Sequence, residues 1–145
     1  HSLDARDYGA LDAVFMPDAL VDMTEQEAFE QLPVVKPWYT TNLAASVDYF
    51  HLIGNILVSF DPSGMSARSK SKVINPCGVV GPDGLLHHFE TVGVWEDLWV
   101  KTEAGWRIGE RTWRHGFIWG DYPFDRLPGD FDRPSSALRR QNSGS

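Results

Sequence analysis

The fold is decided by one stretch: His51-Leu-Ile-Gly-Asn-Ile-Leu-Val-Ser-Phe60, Asp61-Pro-Ser-Gly64, then Met65 to Val80, Gly81-Pro-Asp-Gly84, Leu86 to Lys101, Glu103-Ala-Gly105 and Trp106 to Trp113. The first segment is dense in β-branched and apolar residues and stops at a Pro/Gly turn, which reads as a strand entering a hairpin. In the second, Ala67, Ser69, Ser71 and Val73 alternate with Arg68, Lys70 and Lys72. That period of two is the pattern of a strand with one wet face. Two further turns and two further apolar runs repeat the plan, so the second half predicts four strands joined by hairpins.

The first half has a different rhythm. Leu11, Val14 and Phe15 recur at three-and-four spacing, which predicts a helix over Asp7–Met16, ended by Pro17. Ala19–Met23 predicts a short strand. Thr24 and Glu27 have the spacing of a capping box and predict a helix to about Gln31. Pro33 and Pro37 are expected to break it, with another helix from about Tyr39 to Tyr49. Helices followed by hairpin-linked strands predict an α+β fold: a cone-shaped curved antiparallel sheet packed on N-terminal helices.

At 145 residues the chain is one domain, read as residues 1–127 with a polar tail over 128–145. Six Trp, eight Phe and four Tyr are enough to fill a core and still line a pocket for a flat ligand. A net charge of −7 with no basic stripe argues against a nucleic-acid partner. No apolar run approaches the roughly 20 residues of a membrane span. The single Cys77 excludes an internal disulfide and fits a reducing compartment, so a cytoplasmic location is expected; a bystander role is expected for the thiol. The chain opens at His1 without a methionine, so upstream residues are expected and a targeting segment among them is left open.

The order of elements, Leu3-Asp-Ala-Arg-Asp-Tyr8, Phe15-Met-Pro-Asp-Ala19, Gly93-Val-Trp-Glu-Asp97 and Gly105-Trp-Arg-Ile108 resemble the nuclear transport factor 2-like superfamily and its SnoaL-like branch. His51-Leu-Ile-Gly54 and Trp119-Gly-Asp-Tyr-Pro-Phe-Asp-Arg-Leu127 are similar to segments of the scytalone-dehydratase-like group. The resemblance implies a cystatin-like α+β barrel and a homodimer or homotrimer. It also implies a catalytic pair: Asp4 orients His51, and His51 takes a proton alpha to a carbonyl. The group's two carbonyl-polarising tyrosines fall on Leu3 and Met23, its second histidine on Asn75, and a polar pair on Gly93 and Trp95. The base pair is thus retained and most of the remaining apparatus replaced.

An imidazole titrates near pH 6.5, which suits His51 to general-base work. Asp4 would hold one ring N–H and stabilise the imidazolium that forms. The bland alternatives are a structural histidine at a strand start and a helix-surface carboxylate. Asn75 is a candidate donor to a substrate oxygen, or else a turn residue before Pro76. Leu3, Met23, Trp95, Phe117, Trp119, Tyr122 and Phe124 are candidates to line or cap the pocket, with core packing as the alternative for about half of the aromatic ones. His87 and His88 are adjacent on a strand and point to opposite faces, so no metal site is read there. His115 is expected near the rim with a surface role. The expectation is a cofactor-independent dehydratase or double-bond isomerase acting on a hydrophobic cyclic small molecule, without metal. A non-catalytic binding or assembly module is the rival, and a hydrolase or hydroxylase subunit a third reading.

Overall fold

A computed structural model describes residues 2–23, 30–44 and 46–124. The long hairpins are where the alternation puts them. β4 (Leu52–Phe60), β5 (Ser66–Val80), β6 (Leu86–Thr102) and β7 (Gly105–Gly120) pair antiparallel in sequence order. β7 runs seven residues past the expected end at Trp113, carrying its ladder with β6 to Gly120.

The first half departs from the helical reading. Asp7 caps a short 3-10 turn, Gly9–Ala13, by accepting the Ala10 N–H at 3.1 Å. The chain then enters β1 (Phe15–Asp22) directly. Leu11 and Phe15 are both buried in one core, so their spacing reports a shared destination rather than a shared helix face. β1 joins β7 in parallel, which makes the sheet mixed rather than wholly antiparallel. The β1–β7 register shifts between Phe15 and Leu20, the interval that holds Pro17, which has no N–H to give to a ladder.

β2 (Glu30–Gln31) pairs with β1, and α1 spans Leu32–Ala44 through both prolines. Pro33 lies in the first turn, where its missing N–H would have no helical partner. Pro37 lies inside the helix. Burial of Leu32 and Tyr39 on one side of α1 offsets that break. The chain is already extended at Ser46, where β3 (Ser46–Tyr49) pairs with Cys77–Val79 of β5, so the expected helix to Tyr49 is overturned from there on. The helix expected over 24–31 falls mostly outside the described residues, as does the tail over 128–145. None of the described helices is long and apolar enough to cross a membrane.

The sheet order is β2-β1-β7-β6-β5-β3, with β4 also on β5. Its inner face carries two clusters. One joins Leu11, Phe15, Ala19, Val21, Leu32, Tyr39 and Ile108; the other joins Val73, Trp95 and Trp113, and Met23 touches both. The Trp95 and Trp113 rings lie 4.6 Å apart, a contact that adds about 0.5–1.5 kcal/mol to their burial. Gly93 makes room for it, because a Cβ there would stand 2.5 Å from the Trp113 ring and 2.4 Å from the Arg114 carbonyl. Between the clusters the buried Asp97 grips Arg111 with two bonds of 2.7 and 2.8 Å. The guanidinium also stacks on Trp95 and Phe15 at 4.7 and 5.2 Å, which compensates part of the cost of burying a charge.

Candidate functional site

β3 and β4 run along the same edge of β5 and are separated by Phe50 and His51. Phe50 N–H donates to the Pro76 carbonyl, and Leu52 pairs with Ile74, so His51 faces Asn75 across the ladder. At this gap the His51 N–H turns to Asp4 Oδ2, at 3.4 Å. The other oxygen, Oδ1, lies 2.5 Å from His51 Nδ1. One carboxylate therefore holds both the backbone and the ring. With Nδ1–H donated to Asp4, the lone pair of the neutral imidazole resides on Nε2. The two side chains are 15% and 22% exposed, sheltered yet reachable.

Asp4 stands on a turn, not on a helix. Arg6 N–H donates to the Leu3 carbonyl and Asp7 N–H to the Ser2 carbonyl, each at 2.9 Å. β3 pins this turn from the other side. Tyr49 O–H donates to the Leu3 carbonyl at 2.5 Å, and the Arg6 guanidinium donates to the Ser46 carbonyl at 2.9 Å while lying over the Tyr49 ring. The Tyr49 ring meets His51 edge-on at 6.0 Å. Burial, with the Tyr8 hydroxyl nearby, pushes Tyr49 up to about 12, so it remains a neutral donor. Tyr49 and Arg6 escaped the sequence reading because nothing in the local pattern records a contact between residues 40 or 46 positions apart.

The other expected site residues divide. Asn75 faces His51 in the ladder, and its Oδ1 is buried with no hydrogen-bond partner among the described residues. Leu3 contributes its carbonyl to Tyr49 and its side chain to the first core cluster. Met23 packs against the Trp95–Trp113 cluster and accepts the Tyr39 O–H at 3.5 Å. Trp95 is buried at 5% exposure, the core alternative. Tyr122 meets Phe89 edge-on at 4.8 Å, and Phe124 meets Tyr122 at 5.4 Å.

Phe117 and Trp119 are not brought to this face. They pair with Val92 and Glu90, whose side chains alternate with those of Thr91, Gly93 and Trp95, and they are 52% and 70% exposed. His115 corrects its expectation in the other direction. It pairs with Gly93 on the inner face, half-buried, with Nε2 buried. His87 and His88 do point apart, the first buried and the second exposed. Burial raises the Cys77 thiol to about 11, which keeps it protonated and non-nucleophilic at neutral pH. A surface groove of about 510 Å³ between α1 and β1 is lined by Asp12, Pro17, Leu32, Pro33, Lys36, Pro37 and Thr40. Its charged groups, Lys36 and Asp12, pair with each other at 2.6 Å.

Known proteins bear on this geometry. Residues 1–112 match the family model of the SnoaL-like domain. Mycobacterium tuberculosis protein Rv2910c is 32% identical over 113 residues, covering 77% of this chain and 74% of that protein. A Novosphingobium aromaticivorans structure, assigned by inference as a scytalone dehydratase, superposes with a TM-score of 0.68 at 20% identity, over 91% of this chain and 85% of that one. Hexachlorocyclohexane dehydrochlorinase LinA-type3 of Novosphingobium barchaimii does so with a TM-score of 0.68 at 16% identity, over 88% and 85%. At these identities the two structures bear on the fold.

Proposed function

The chain belongs to the SnoaL-like domain family, and from that premise we propose that it is a cofactor-independent lyase or isomerase whose general base is His51. The observation that carries the reading is the hold of Asp4 on His51 Nδ1. It leaves Nε2 as the proton acceptor, and the carboxylate stabilises the imidazolium that results. A base so placed removes a proton from carbon beside an activating group. The C–H pair becomes the new double bond while a β-substituent departs with its own bonding pair. If nothing departs, reprotonation at another carbon gives isomerisation instead. The names of the two structural neighbours, a dehydratase and a dehydrochlorinase, both denote such eliminations, of water and of hydrogen chloride. A hydrophobic cyclic substrate is proposed from the resemblance alone, since Met23, Val73 and the Trp pair pack together as core. Asn75, opposite His51 with its Oδ1 unsatisfied, is the candidate contact for a hydroxyl or other donor on that substrate.

A second reading, a binding module without chemistry, draws on Leu3 and Met23 standing where the resembled enzymes carry tyrosines. One experiment separates the two. Cyclic enones and hydroxyketones are incubated with the protein in D2O, and deuterium uptake and product are followed by NMR for wild type and His51→Ala. Uptake or elimination by wild type alone supports the base. Equal binding by both proteins with no exchange in either supports the module.

A further inference from the structure

A second histidine–carboxylate cluster stands apart from the Asp4–His51 pair. His87, buried near the start of β6, faces a carboxylate at each ring nitrogen. Nδ1 lies 2.7 Å from Asp121 Oδ2, and Nε2 lies 2.9 and 3.0 Å from the two oxygens of Asp83. A neutral imidazole has one N–H and one lone pair; between two ionised carboxylates only the imidazolium donates on both sides. The backbone is shaped around the ring. A Cβ on Gly81 would stand 2.7 Å from His87 Cδ2 and 2.9 Å from Asp83 Oδ1, so no larger residue leaves the cluster undisturbed.

The two carboxylates come from different pieces of chain. Asp83 belongs to the turn between β5 and β6 and is fixed there by the Leu85 N–H at 3.0 Å. Asp121 opens the segment that leaves β7, and its N–H donates to the His88 carbonyl at 2.9 Å. The same segment lays Tyr122 against Phe89. Phe89 pairs with Cys77, and Cys77 with Tyr49, two residues before His51. The Asp121–Phe124 segment is therefore a strap over the His51 end of the sheet.

We propose that His87 is a pH-sensitive latch: as the imidazolium it ties the β5–β6 turn, through Asp83, to the strap, through Asp121, and loss of its proton loosens the strap. Asp121 is the side that lets go, because among the described residues no backbone N–H steadies its carboxylate as the Leu85 N–H steadies that of Asp83. Among the described residues, the charged groups facing the ring are these two. β5 presents uncharged Val79, the turn after it presents Gly81, and Asp48 of β3 lies 4.0 Å from His88 on the other face of β6. The two carboxylates hold His87 above its ordinary 6.5, Asp83 contributing first, and His87 in turn holds Asp83 below its ordinary 3.8. The latch is at full strength below 6.5 and above the ordinary carboxylate value. It is lost upward, as pH passes the raised value of His87, and downward, as pH falls through the lowered value of Asp83.

The latch does not depend on His51 being a catalyst, so its test reads backbone protection rather than turnover. Amide hydrogen exchange at Asp121, Tyr122 and Phe124, corrected for the intrinsic effect of pH, is followed beside the NMR titration of the His87 ring. In wild type, protection is expected to fall roughly 10-fold as His87 loses its proton above pH 6.5, the equivalent of one charge-assisted hydrogen bond. In His87→Gln protection is expected to be low and flat with pH. Asp121→Asn, which keeps the His87–Asp83 contact, carries the test if the first variant does not fold; it too should be low and flat. Protection that is constant across the His87 titration, or equally pH-dependent in the folded variants, overturns the proposal.

Discussion

Two histidines near one end of the sheet meet aspartates in opposite ways. Among the described residues His51 meets one carboxylate, at Nδ1, and with that nitrogen donating, the lone pair of the neutral ring lies on Nε2. His87 meets carboxylates at both nitrogens and has no lone pair to offer while it satisfies them. Counting the carboxylates around each ring thus separates a histidine held at one nitrogen from a histidine held at both, although both residues are sheltered and both are written simply as His in the sequence. A third carboxylate contact, Asp97 on Arg111, completes the series. Its cation is a guanidinium, which has donors only and no lone pair to offer, so the contact ties the two core clusters together.

The comparison breaks most visibly at His51. His51→Ala is expected to lower the rate of proton exchange or elimination by a factor on the order of 100 to 10,000. Asp4→Asn should lower it too, by presenting an amide where the ring N–H needs a carboxylate. Single-turnover assays with any substrate found by the D2O screen measure this, and a rate unchanged in both variants removes the base assignment. Asp97→Asn tests the structural member of the series. Leaving Arg111 buried without its ionised partner should cost about 3–5 kcal/mol, read by urea unfolding. A loss below about 1 kcal/mol would mean that the guanidinium finds water or another partner.

A smaller effect is expected from Gly93→Ala, which drives a methyl group into the Trp113 ring. It should cost about 1–3 kcal/mol and reduce the near-ultraviolet circular dichroism of the Trp95–Trp113 pair. Unaltered dichroism would show that the rings are not in contact. The smallest effect is that of Tyr49→Phe, about 1 kcal/mol for one lost bond to the Leu3 carbonyl. A purely structural role stops there. If Tyr49 also positions Asp4, the pH profile of turnover shifts, because His51 then loses part of its carboxylate support.

Legibility differed sharply between the halves of the chain. The β4–β7 hairpins were readable because alternation and Pro/Gly turns are local signals, and each strand pairs with its neighbour in sequence. The N-terminal half was not, because its apolar spacing serves tertiary ends. Leu11 and Phe15 meet in one core from a 3-10 turn and a strand, and α1 runs through Pro37 because Leu32 and Tyr39 are buried. The site divides the same way. That Asp4 would meet His51 was expected through resemblance, whereas the contacts of Tyr49, Arg6 and His87 join residues 34 to 46 positions apart. The misplacement of Phe117 and Trp119 has a simple origin. Alternation says that neighbours face opposite ways, but the ladder with β6 decides which way.

By itself the amino-acid order determined the four strands β4 to β7, the turns between them and the family to which the chain belongs, since these rest on short-range sterics and on residue-by-residue likeness. Only the tertiary structure decided which histidine meets a carboxylate at one nitrogen and which at both, which aromatic rings face inward and which side chains hold Asp4 in place. Those outcomes depend on the distance between groups remote in the chain. Hydrogen bonding and charge act through that distance, and no local pattern encodes it.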